Sequence, residues 1–120
     1  MPNEFTLDDE SIPLHVRRDE CVRLLDLALY ESKRRGNVMA EKKRAYYTAK
    51  AQAAFALRAE GNPVTFISDV LKGCVADEQF EYDKATVEYE NAKDGVQVYK
   101  LKLRVIEAEI EREWNAQKRM

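Results

Sequence analysis

His15 is the only histidine in this 120-residue chain, and Cys21 and Cys74 are its only cysteines. One histidine cannot build a His-based metal centre, and two distant cysteines lack the Cys-x-x-Cys spacing of a zinc or redox motif. A Ser/His/Asp or Cys/His nucleophilic constellation is likewise out of reach. Both cysteines are therefore read as small buried hydrophobes that stay reduced. Carboxylates are the other candidates for chemistry. Glu107, Glu109, Glu111 and Glu113, with Asp77, Glu78, Glu81 and Asp83, invite comparison with helical di-metal sites. The Glu-x-x-His companion of such sites is missing, so these acids read as solvated faces with basic neighbours, as in Asp77/Glu81/Lys84 and Glu109/Arg112. The expectation is a non-enzymatic protein with no catalytic residues, no metal and no cofactor.

Two basic stretches carry the remaining candidate chemistry. Lys33, Arg34 and Arg35, and then Lys42, Lys43 and Arg44, lead into Tyr46-Tyr47, a mixture that suits single-stranded nucleic acid through phosphate contacts and base stacking. The competing reading is a helix end satisfied by cations, followed by a solvated face. Overall charge favours the second, because 20 basic against 22 acidic residues leave a net charge of −2 and no long-range attraction to phosphate. Leu57, Gly61 and Ile67 resemble the turn of a helix-turn-helix unit. The helix that would enter DNA, however, opens with Asp77, Glu78, Glu81 and Asp83, which repel phosphates.

What must position these residues is helical. Hydrophobic residues make up 45% of the chain and charged residues 35%, with only four glycines and three prolines, a composition of long helices rather than of sheets. Residues 1–12 read as a flexible acidic arm and residues 13–120 as a single helical domain. Its helices are predicted at about 14–35, 38–60, a short one at 66–72, and 76–116. Gly36-Asn37 is the expected joint between the first two, and Gly61-Asn62-Pro63 a strong stop for the second. Thr65 is the predicted cap of the short helix and Gly73 its stop. Alanines 45, 49, 53 and 56 form a small-residue row against which tyrosines of the last helix pack closely. The fold expected is all-α: a long antiparallel helical hairpin with an additional N-terminal helix and coiled-coil-like packing. An acidic N-terminal segment and the lack of any apolar run of about 20 residues point to a soluble, cytoplasmic protein without membrane contact.

The last helix gives the clearest pattern. Tyr82, Ala85, Tyr89, Ala92, Val96, Tyr99, Leu103, Ile106 and Ile110 recur at alternating steps of three and four, the period of a seam against a partner helix. A second apolar row, Val98, Leu101, Val105 and Ala108, lies on the opposite face. The first helix covers one row. The second is predicted to be an interface, with a homodimer favoured over a heterologous protein partner. The competing arrangement has the first helix and the arm, through Phe5 and Leu7, covering both rows. Trp114 is predicted to anchor the end of the bundle.

The run LRAEGNPVTFISDVLKG, then DKATVEYENAK, then LKLRVIEAEIEREW, resembles a group of small helical proteins encoded by phages and prophages near recombination and replication genes. The likeness covers about residues 40–114. It implies a phage setting and no mechanism. The residues themselves point to a protein acting through contact with other proteins, the alternative being a single-stranded nucleic-acid accessory in phage recombination or replication. It carries over no catalytic residue.

Overall fold

The computed structural model describes residues 5–119 and is all-α in that range. Its helices are α1 (Phe5–Asp8), α2 (Leu14–Ala59), α3 (Val64–Cys74) and α4 (Ala76–Lys118). They form two compact units, Met1–Ser32 with Asn91–Met120, and Lys33–Glu90.

In the first unit, residues 14–32 of α2 pack antiparallel on residues 91–118 of α4, with α1 beside them. Leu7, Cys21 and Ile106 are buried together, and Leu14, Leu24, Tyr99, Leu103 and Ile110 pack around them. The arm is therefore not flexible throughout. Leu7 is only 3% exposed, and burying a leucine of that kind is worth about 1.5–3 kcal/mol, enough to hold a four-residue helix that has no stability of its own. The side chain of Phe5 lies outside what the structure describes. An Asx turn joins α1 to α2: Asp9 Oδ1 accepts the backbone N–H and the hydroxyl of Ser11, at 2.9 and 2.6 Å. Those two bonds hold the exposed Asp9 carboxyl below its ordinary pKa. The chain then enters α2 through Pro13, whose carbonyl accepts the N–H groups of Val16 and Arg17 at 3.1 and 3.0 Å.

In the second unit, residues 33–59 of α2 return through α3 onto the start of α4, so this unit is a helical hairpin. The joint expected at Gly36-Asn37 does not exist: α2 runs through it unbroken. A mid-helix glycine costs about 1 kcal/mol relative to alanine, but here it lets another helix come close. A Cβ on Gly36 would stand 3.1 Å from Tyr89 Cε1. Beside it, Arg35 Nη1 donates to Glu88 Oε2 at 2.6 Å. Further along, the Tyr46 and Tyr82 rings lie 5.8 Å apart. The expected alanine row is buried only in part: Ala49 and Ala53 are half-buried, whereas Ala45 and Ala56 are exposed.

The stop at Gly61 is a Schellman motif. Gly61 takes φ +83°, its N–H donates to the Arg58 carbonyl at 2.9 Å, and the Asn62 N–H donates to that of Leu57 at 3.3 Å. The Asn62 side-chain amide donates to the same Leu57 carbonyl at 2.9 Å. Beyond it, α3 begins two residues earlier than a Thr65 cap requires, because the extended Pro63 is the N-cap and its carbonyl accepts the Ile67 N–H at 3.0 Å. Nor does Gly73 end α3. Val75 does so, at φ −116° and ψ 19°, a conformation open to any residue, and its 2% exposure shows what fixes the break. The Val75 carbonyl then accepts the Gln79 N–H at 2.9 Å, so one buried residue closes α3 and opens α4.

Candidate interaction face

The seam residues of α4 within the first unit, from Ala92 to Ile110, are all buried or half-buried, as helix pairing requires. The opposite row is open. Val98 is 44% exposed, Leu101 and Val105 are each 58% exposed, and Ala108 is exposed as well. Leu101 and Val105 form one wall of a cleft of about 380 Å³ that Leu7 and Asp8 of α1 complete, with Glu10 of the turn that follows. Lys102, Ile106, Glu109 and Arg17 line the rest. Thus α1 covers the inner edge of the row through Leu7, and the crest of the row stays bare.

Arg17 is the residue at this site that periodicity misplaces. Its position suggests an exposed flank of α2, yet it is only 8% exposed. Its Nε donates to the Ile12 carbonyl at 3.0 Å, and Nη2 stands 4.0 Å from Glu109 Oε2. The guanidinium thus ties the α1–α2 turn to α2, while its aliphatic stem is covered by the packing. No local signal marks it, because its partners are the Ile12 carbonyl of the turn and a glutamate of α4. Glu109 faces Arg17 instead of pairing with Arg112, and Arg112 has no ion pair among the described residues.

Cys21 is fully buried in the same unit, with its thiol donating to the Tyr99 carbonyl at 3.5 Å. Burial pushes the Cys21 thiol above its ordinary pKa; Lys102 opposes that shift and Glu107 adds to it. A raised acid in the folded state contributes stability that is complete below the unfolded value of about 8.5 and is lost as pH climbs through the folded one. Cys74 is exposed. A thiol reagent applied to the native protein at pH 8 should therefore label Cys74 at once and Cys21 only in denaturant. Equal native rates would show that Cys21 is not enclosed.

The basic residues do not gather into one patch. Because α2 is continuous, consecutive residues point about 100° apart, and the two triplets spread around the helix. Arg35 is held by Glu88, Lys42 is half-buried, and Arg44 lines a shallow depression with Glu41 and Glu78. Arg34 is also engaged, and Lys33 and Lys43 are exposed. Among the described residues, no three His, Cys, Asp or Glu side chains converge as metal ligands. Trp114 does not anchor a bundle end. It is 58% exposed, with Lys118 Nζ 5.5 Å from its ring centre.

Fold and face define a class: an all-α protein of antiparallel helix pairs with an apolar row left open on α4. No protein-family model, curated protein or solved structure matches the chain. Among the described residues, no helix is long and apolar enough to cross a membrane.

Proposed function

We propose that this chain is a non-enzymatic interaction protein that works as a homo-oligomer, with a dimer as its basic form. The observation that carries the reading is the bare row Val98, Leu101, Val105 and Ala108, continuous with the cleft beneath α1. Aliphatic side chains at helical spacing, left in water beside an already filled seam, gain about 25 cal/mol for each Å² covered by a second surface. A second copy supplies such a surface at the same concentration as the first. The resemblance to phage-encoded helical proteins gives this reading its proposed setting.

Light scattering tests it. The wild type should run at twice the 13.9 kDa of the chain, and the Leu101→Glu/Val105→Glu variant at 13.9 kDa with unchanged helicity by circular dichroism. A wild type of 13.9 kDa at tens of micromolar would sink the proposal. An oligomeric double variant would move the interface to another face.

A further inference from the structure

The row on α4 carries information about how a second copy sits, and this inference rests on the homo-oligomer reading. Extended by one polar residue at each end, the row is Asp94, Val98, Leu101, Val105, Ala108 and Arg112. Its intervals are four, three, four, three and four, which read the same in both directions. An α4 laid antiparallel on another about a twofold axis between Leu101 and Val105 therefore matches every position. Leu101 meets Val105 of the second copy, Val98 meets Ala108, and Asp94 meets Arg112. Large side chains fall against smaller ones, the pattern that lets facing layers interdigitate. A parallel arrangement sets Asp94 against Asp94 and Arg112 against Arg112, which costs energy at both ends.

Charge supplies the second argument. Asp94 and Arg112 are both exposed, and neither has an ion pair among the described residues. Each thus offers an unspent charge at the end of an apolar row, where an opposite charge on the partner would fix register. Near the axis the twofold brings the two copies of Lys102 towards each other. Asp8, Glu10 and Glu109 line the same cleft as Lys102, so those cations meet acids as well as each other.

We propose that two copies of this chain associate through α4 in an antiparallel, isologous pair, with Asp94 of each copy bridging Arg112 of the other. Because the pair is symmetric, one substitution acts twice. Asp94→Arg alone, or Arg112→Asp alone, turns two attractions into two repulsions and should raise the dimer Kd at least about tenfold in sedimentation at low salt. The combined Asp94→Arg/Arg112→Asp chain should return to near the wild-type Kd, which a loss of folding or of general solubility would not do. Cysteine cross-linking reads the same geometry independently in a Cys74→Ser background. Oxidation should join Val98→Cys chains to Ala108→Cys chains in a mixture, and should leave either variant alone uncrosslinked. A dimer in which the double swap fails to recover, or in which Val98→Cys links to itself, overturns the antiparallel pairing while the homo-oligomer reading stands. A monomeric wild type overturns both.

Discussion

Ile106→Ala is expected to be among the most damaging single truncations in this chain. Ile106 is 4% exposed and is buried together with Leu7 of α1 and Cys21 of α2. Removing its branched chain takes away the contact that holds α1 in place and leaves a void that neighbouring helix backbones cannot fill. Losses at such sites are about 2–5 kcal/mol, a large part of the 5–15 kcal/mol that holds a typical domain together. Urea unfolding followed by circular dichroism should therefore show a midpoint shift of that size. A second consequence separates this site from an ordinary core position. Since α1 is held by Leu7, the turn at residues 9–12 should become sensitive to a protease at concentrations that leave the wild type intact. A cost below about 1 kcal/mol, or an unchanged cleavage pattern, would show that Leu7 and Cys21 do not close over Ile106.

How much of this was legible in the sequence depends on where each element draws its stability. The α4 seam was readable because nine positions share one period and each is satisfied by the same partner direction. The stop at Gly61 was readable for a local reason: the glycine adopts the left-handed conformation, and a proline two residues on forbids continuation. Gly36 carries the same letters in a similar setting, after Lys33-Arg34-Arg35 and before an asparagine, yet the helix passes through it. No proline follows Gly36, and the reason for the glycine is Tyr89, a residue 53 positions later, with which it makes its close approach. Nothing local distinguishes a capping glycine from a packing one. Leu7 and Arg17 were misplaced for the same reason, since one is buried and the other desolvated by α4. The open row on α4 was legible because a filled seam and a bare row sit on opposite faces of a single helix, and periodicity alone separates them.

Gly36→Leu is the second large expected effect. Alanine at this position gains about 1 kcal/mol of helix propensity, and its Cβ would meet Tyr89 Cε1 at 3.1 Å, so the ring must give by a few tenths of an ångström. That gain and that clash nearly offset one another, and Gly36→Ala should change stability by less than about 1 kcal/mol. Leucine cannot be accommodated by the same small shift. Its branched end must occupy the volume of the Tyr89 ring, while the Arg35–Glu88 pair at 2.6 Å keeps the two backbones in register one residue away. Either the ring leaves its rotamer or the helices separate locally, and overpacking of that kind costs about 1–3 kcal/mol. A double-mutant cycle isolates the cause. Tyr89→Ala alone should destabilise the protein by removing a half-buried ring, but in its presence the cost of Gly36→Leu should fall, giving a favourable coupling of about 1 kcal/mol or more. Additive losses in urea unfolding would refute the close approach. A neutral Gly36→Leu would return the glycine to the role its neighbours suggest, that of a helix end.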